Sequence, residues 1–308
     1  MPRSYRYLHY DVFTDRLFGG NQLAVLPDAR GLSTETMQAI AQEMNFSETT
    51  FVLPAERSDT DFRMRIFTPA EELPIAGHPT VGSTFALARA GVIAAGREGC
   101  TFGLNIGPTP VALTWRDGTL SFVWMTQPLP VFGQTLDDPA RVAAALSIAP
   151  AALAGSGQPV QIVSCGVPFL YVPLATRAAV DSAVANPALV LELLASTKSG
   201  AHGLFIFTTE RAAERADDHA TAYSRMFAPG LGVLEDPATG VASGPLGCYL
   251  VRHKMVPADR AGAMLSLQGV KMGRPSHVHI AINVEADEIS NVRIGGEAVL
   301  AGEGILYI

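Results

Sequence analysis

The sequence predicts an α+β protein made of two similar halves, each a strongly curved sheet wrapped around a central helix. An Arg-apolar-Phe-x-Pro pattern occurs twice, as RIFTP at Arg65–Pro69 and as RMFAP at Arg225–Pro229. Two copies half a chain apart signal homologous halves, not a solenoid. Each copy continues through a loop and an x-Pro-(x)-Thr turn into a long segment without charge, Pro79–Ala88 in the first and Pro237–Val251 in the second. A helix that is apolar on every side must be buried on every side. The walls around it read as strands: Phe62, Met64 and Ile66 alternate with Arg63 and Arg65, the period of a half-buried strand.

Along the chain, similar strand signals fall at Tyr7–Phe13, Gln22–Leu26, Thr49–Leu53, Val111–Trp115, Leu120–Trp124, Val160–Val163, Leu204–Thr208, Val278–Asn283 and Gly304–Ile308. One amphipathic helix follows Ser33 as N-cap, with Glu35 in its first turn and Met37, Ile40, Ala41 and Met44 on its apolar face. Gly82, Ser83 and Ala86 in the first uncharged segment, and Gly240, Ala242 and Ser243 in the second, let walls pack closely. Pro245 lacks an N–H and clashes with the preceding turn, which predicts either a kink or a later helix start. The crossover is expected at Trp124–Pro130, giving halves of 1–126 and 127–297.

Composition narrows the partners. The chain has 308 residues, 17% of them charged, below the usual quarter, so much of it should be buried. A net charge of −7 argues against nucleic acid or an anionic membrane as partner. The opening MPRSYRYLHY has no apolar stretch of the kind a signal peptide carries, and no apolar run reaches bilayer length, so a cytoplasmic protein is expected. Cys100, Cys165 and Cys248 lie far apart without a CxxC pair, which disfavours a disulfide framework or a zinc site. His277 and His279 share a strand face but lack a third ligand at suitable spacing, so no metal is expected. GxGxxG, P-loop, GxSxG and HExxH patterns are absent.

Three segments place an ionisable residue at a junction between elements: Asn45–Phe51 (NFSETTF), Ala76–Gly82 (AGHPTVG) and Glu235–Gly240 (EDPATG). Glu48 lies beside Phe46 and Phe51, where desolvation would raise its pKa toward neutrality. A base so tuned can both take and return a proton. His78 and Asp236 are expected to hold the same place in the two copies, each just before a proline at the start of a buried helix. Two helix N-termini facing one cleft would hold the carboxylate of a small organic acid. Each residue also has a plainer reading: Glu48 as a solvated loop residue, His78 as a cap or satisfied polar group, Asp236 as a turn or cap.

The stretches DVFTDRLFGGNQLAV (Asp11–Val25), MNFSETTFV (Met44–Val52), RIFTPAEELPIAGHPTVGS (Arg65–Ser83), DPATG (Asp236–Gly240) and MGRPS (Met272–Ser276) together resemble the PhzF-like phenazine-biosynthesis family, which shares its fold with diaminopimelate epimerase and proline racemase. The resemblance implies two pseudo-symmetric diaminopimelate epimerase-like domains, with the last strand, 298–308, rejoining the first. It also implies an active site in the cleft between them, no cofactor, and a homodimer. By position, Glu48 matches the family's general acid/base. His78 and Asp236 match residues that assist proton transfer, and Ser47, Gly77 and Gly240 match positions that bind or orient substrate. Val241 stands where the family usually has serine, and Gln22 where proline is common, which puts the family's best-known substrate, a dihydro-hydroxyanthranilic acid, in doubt.

The leading expectation is therefore a cofactor-independent isomerase that shifts a proton within a small carboxylate-bearing substrate. A racemase or epimerase of an amino or hydroxy acid, using Glu48 or His78 against Asp236, is the second. A non-catalytic small-acid binding protein, suggested by Val241, is the third.

Overall fold

The computed structural model describes residues 3–211 and 219–308, so Met1 and Pro2 of the opening segment lie outside the described residues. Its contacts divide the chain into two compact units, residues 1–126 with 294–308 and residues 127–293.

The first unit runs β1 (Ser4–Val12), β2 (Asn21–Leu26), α1 (Thr34–Met44), β3 (Glu48–Pro54), β4 (Phe62–Phe67), β5 (Glu72–Leu73), α2 (Gly77–Arg89), β6 (Gly99–Leu104), β7 (Gly107–Arg116) and β8 (Thr119–Gln127). Strand β1 is antiparallel to β2, β2 parallel to β3, and β3 antiparallel to β4. Strand β4 then pairs antiparallel with β5 and parallel with β6, which is antiparallel to β7. Ser33 caps α1 by accepting from the Thr36 N–H at 3.2 Å, as its sequence predicts. Met37, Ile40 and Ala41 of that helix are buried with Tyr5, Leu26, Phe51 and Phe67.

The second unit contains β9 (Val131–Thr135), α3 (Pro139–Leu146), α4 (Ala151–Ala154), β10 (Gln161–Ser164), β11 (Pro168–Pro173), α5 (Arg177–Ser182), α6 (Pro187–Ser196), β12 (Leu204–Thr208), β13 (Ala222–Ala228), β14 (Val233–Asp236), α7 (Gly240–Arg252), β15 (Met264–Gln268) and β16 (Ser276–Glu285). Strands β17 (Glu288–Gly296) and β18 (Ala298–Tyr307) follow, and β18 pairs antiparallel with β1 in the first unit. The pairing order of the first unit recurs: β10 antiparallel to β11, β11 parallel to β12, β12 antiparallel to β13. Strand β13 pairs antiparallel with β14 and parallel with β15, and β15 is antiparallel to β16. Connections recur as well, with α2 leaving β5 and α7 leaving β14.

The uncharged segments are the central helices. Every residue of α2 from Gly77 to Leu87 is buried, and so is every residue of α7 from Gly240 to Leu250. Small residues make this possible: a Cβ on Gly82 would meet Leu23 at 2.5 Å and Val12 at 2.6 Å, and one on Gly247 would meet Ile280 at 2.5 Å. Pro245 does not delay the helix, which starts at Gly240 and runs through it. The proline removes one donor, the partner of the Val241 carbonyl. On the same turn, the Gly240 and Ala242 carbonyls accept from Gln127 Nε2 at 3.3 Å and from the Tyr171 hydroxyl at 2.6 Å.

The paired arginines show how the two copies correspond. Arg65 grips Glu72 through Nε and Nη2 at 2.8 and 2.6 Å, and Arg225 grips Glu235 at 2.8 and 2.8 Å. Each guanidinium also lies over the phenylalanine two residues on, 5.1 Å above Phe67 and 4.9 Å above Phe227. Starting from Glu72 and Glu235, the copies align without a gap to the helix ends at Arg89 and Arg252, matching Pro74 with Pro237 and Gly77 with Gly240. The side chains agree: Thr80 donates back to the Ala76 carbonyl at 2.7 Å, and Ser243 donates to the Thr239 carbonyl at 2.9 Å. The expectation that His78 and Asp236 occupy matching places is therefore wrong. His78 corresponds to Val241, and Asp236 to Leu73. The sequence pattern had aligned Pro79 with Pro237, five residues out of register.

Among the described residues, no helix is long and apolar enough to cross a membrane.

Candidate functional site

In the first unit the site begins where β2 and β3 start side by side, with Leu23 opposite Glu48 in the parallel register. Glu48 is the first residue of β3, and Asn21 is the first of β2. The N-terminus of α2 supplies Gly77 and His78 as its first two residues, after an N-cap Ala76 that offers no side-chain hydrogen bond. Thus His78 is inside the helix and is not its cap.

His78 Nε2 lies 3.0 Å from Glu48 Oε2. Both atoms are sealed from solvent, and the approach, close as it is, is not aligned as a formed hydrogen bond. Catalytic pairs often tighten only when substrate arrives. The Glu48 side chain retains 14% exposure against 3% for His78, so Glu48 is the more accessible member of the pair.

A polar chain stands behind the imidazole. The Ser47 hydroxyl donates to Asn21 Oδ1 at 3.0 Å, which turns Asn21 Nδ2 toward His78 Nδ1 at 3.2 Å. Burial pushes His78 down to about 3, opposed by a backbone hydrogen bond with Gln22. The ring is therefore neutral near pH 7, with one N–H and one bare nitrogen. With the Asn21 amide donating to Nδ1, the neutral ring carries its proton on Nε2, the atom that faces Glu48 Oε2 and donates best to an ionised carboxylate.

In the second unit Asp236 ends β14 and is 6% exposed. It does not cap α7, whose N-cap is Thr239. The Thr239 hydroxyl is turned away from the helix and donates to Asp236 Oδ2 at 2.5 Å. Gly240 and Val241 open α7, both buried. Of the residues expected from sequence, Ser47, Glu48, Gly77 and His78 are thus brought to one place, and Asp236, Gly240 and Val241 to another in the second unit. Sequence reasoning missed Asn21, Thr239 and Gln268. Asn21 carried a readable signal, a buried polar residue opening a strand whose remaining residues after Gln22 are all apolar.

The internal correspondence sharpens the functional reading of these residues. Because Phe51 faces Arg65 and Ile206 faces Arg225, Glu48 corresponds to Gly203. The pair Glu48 and His78 in one unit is thus Gly203 and Val241 in the other, while Asp236 and Thr239 are Leu73 and Ala76. Apolar residues build the same turns, so neither polar set is a requirement of the fold. Buried polar groups that the fold does not need carry a desolvation cost that a site can explain.

The three cysteines are buried. Burial raises Cys100 to about 12, so it is an inert thiol near neutral pH. Among the described residues no cluster of three or more His, Cys, Asp or Glu is placed to hold a metal.

The model of the phenazine biosynthesis-like protein family, PhzC-PhzF, matches residues 10–304. An isomerase of Mesorhizobium japonicum, described as uncharacterized, is 38% identical over 307 residues, covering 98% of each chain. The trans-2,3-dihydro-3-hydroxyanthranilate isomerase of Pseudomonas aeruginosa is 34% identical over 311 residues, covering 99% of this chain and 100% of that one. Among solved structures, a phenazine biosynthesis protein of the PhzF family from Bacillus anthracis matches with a TM-score of 0.85 at 27% identity, over 99% of this chain and 100% of that one.

Proposed function

This chain belongs to the phenazine biosynthesis-like (PhzC-PhzF) family and is an isomerase, and on that premise we propose that it shifts a proton within a small carboxylate-bearing substrate, with Glu48 as general acid/base. The observation that carries the proposal is the contact between Glu48 and a buried, neutral His78. Glu48 takes a hydrogen from a substrate carbon as a proton, and the electron pair left behind spreads into a conjugated, enolate-like intermediate. The protonated Glu48 then delivers the proton to another carbon of the same conjugated system, so that no atom is gained or lost. His78, neutral and protonated at Nε2, favours the ionised state of Glu48 in which it serves as base. The substrate carboxylate is held by backbone N–H groups at the start of α2, where no side chain caps the helix. Asp236 assists the proton transfer.

A conjugated substrate and one carboxylate base suffice for both transfers, so the proposed reaction uses no metal or organic cofactor. Full activity after dialysis against a chelator checks this. The substrate class is an unsaturated, amino-acid-like carboxylate. The P. aeruginosa relative makes trans-2,3-dihydro-3-hydroxyanthranilate the first compound to try, and Val241, an apolar residue, favours a less polar analogue. The racemase alternative sets Glu48 or His78 against Asp236, and the internal correspondence, in which His78 matches Val241 and Glu48 matches Gly203, lends it no support. The proposal extends to a cytoplasmic homodimer, a state that light scattering checks.

The test is incubation with trans-2,3-dihydro-3-hydroxyanthranilate and related unsaturated amino acids in heavy water, followed by NMR. Migration of a double bond with a single hydrogen moved supports the proposal. Inversion of a stereocentre with the double bonds unmoved would instead favour the racemase reading.

A further inference from the structure

Gln268, the last residue of β15, is fully buried, and its amide closes a ring of hydrogen bonds around the DPAT turn. Its Oε1 accepts from the Thr239 backbone N–H at 3.1 Å, and its Nε2 donates to the Asp236 backbone carbonyl at 2.7 Å. A backbone N–H only donates and a carbonyl only accepts, so these bonds fix which end of the amide is which. The same Nε2 also donates to the Thr239 hydroxyl oxygen at 3.0 Å. With that oxygen serving as acceptor, the one hydroxyl proton goes to Asp236 Oδ2, 2.5 Å away. Oδ2 therefore receives a hydrogen bond, an interaction that favours the ionised carboxylate. The next residue holds the arrangement from behind: Gly269 has φ +74, and a Cβ there would meet the Pro237 carbonyl oxygen at 2.5 Å and the Arg274 carbonyl oxygen at 2.4 Å. The MGRPS segment thereby backs the DPATG turn, although the two are far apart in sequence.

The first unit shows what the fold needs at these positions. Arg63 pairs with Gly103 and Tyr223 with Leu267, so Gln268 corresponds to Leu104. Leucine and alanine stand in the first unit where glutamine and threonine stand in the second, around the same turn.

We propose that Gln268, acting through Thr239, is a positioning residue that holds Asp236 as an ionised hydrogen-bond acceptor for proton transfer. This rests on the role of Asp236 under the proposed function, so its test has one arm that needs no substrate. In that arm the Asp236 carboxyl carbon is followed by 13C NMR against pH in wild type, Thr239→Ser, Thr239→Val and Gln268→Leu. Removing the donor is expected to raise the Asp236 titration midpoint by about one unit in Thr239→Val. Gln268→Leu is expected to move it in the same direction, and Thr239→Ser to leave it within experimental error of wild type. An unmoved midpoint in Thr239→Val overturns the proposal, as does a shift in Thr239→Val with none in Gln268→Leu. The second arm measures turnover of trans-2,3-dihydro-3-hydroxyanthranilate: kcat falls about tenfold in Thr239→Val with KM unchanged, and Thr239→Ser restores it. Shifted midpoints with no turnover even in wild type would contradict the proposed reaction while leaving the positioning of Asp236 established. Shifted midpoints with undiminished kcat in the variants would show that the held state of Asp236 does not serve catalysis, and would overturn this proposal.

Discussion

His78 Nε2 and Glu48 Oε2 lie 3.0 Å apart, the one from the second residue of a buried helix and the other from the first residue of a strand. The helix is held against β1 and β2 by close packing at Gly82, so the contact is set by the fold and not by loop conformation.

Neutral burial of His78 makes stability depend on acid. Its ordinary value of 6.5 applies to the unfolded chain, while the folded value is about 3. Between these, the unfolded chain binds a proton that the folded one does not. The contribution is therefore full above about pH 6.5 and is lost as pH falls toward 3, at about 1.4 kcal/mol per pH unit. His78→Gln removes that slope. Urea unfolding at pH 7 and pH 5 should show the stability difference between wild type and variant shifting by about 2 kcal/mol in favour of the variant at the lower pH.

The two arginine pairs differ in burial, with side-chain exposures of 8% and 16% for Arg225–Glu235 against 18% and 22% for Arg65–Glu72. Arg225 also donates to the carbonyls of Val180 and Ala183 at 2.9 and 2.7 Å. Arg225→Met strands a buried carboxylate and those carbonyls, and is expected to cost about 3–5 kcal/mol. Arg65→Met, nearer water, is expected to cost about 1–3 kcal/mol. Denaturant titration of the two variants checks the order, and equal costs would contradict it.

Gly82→Val puts methyl groups where Leu23 and Val12 already sit. Overpacking is expected to cost about 1–3 kcal/mol. Leu23 is paired with Glu48, so turnover should fall along with the melting temperature. A variant that keeps full stability would show that α2 can move away from the sheet.

Asn21→Leu keeps the volume and removes both polar contacts behind His78. Turnover should fall by up to about a hundredfold, through kcat and not KM, with secondary structure unchanged by circular dichroism.

Much of this was legible in the sequence because burial leaves a pattern. Strands β4, β7 and β8 alternate, α1 carries its cap and stripe, and α2 and α7 lack charge. Strand β11, PFLYVP, does not alternate because Phe169 to Pro173 are all buried, and its prolines look like breaks. Strand β9 is short and largely exposed, leaving no apolar signal. Glu48 and His78 could be named from motifs, but their contact could not, since it depends on where α2 meets β3. The repeat was visible while its register was not. The Arg–Glu pairs that fix the register are separated by seven residues in one copy and ten in the other, and only the fold shows that they are the same pair. Gln268 was invisible for the same reason, lying 32 residues beyond Asp236.

The most direct test of the account is turnover by Glu48→Gln, an isosteric change that keeps a hydrogen-bonding group beside His78 and removes the base. With a substrate that wild type rearranges, the account predicts a fall in kcat of about 10²–10⁴, loss of deuterium exchange at the substrate carbon, and little change in melting temperature. Turnover within a few fold of wild type would show that another group moves the proton.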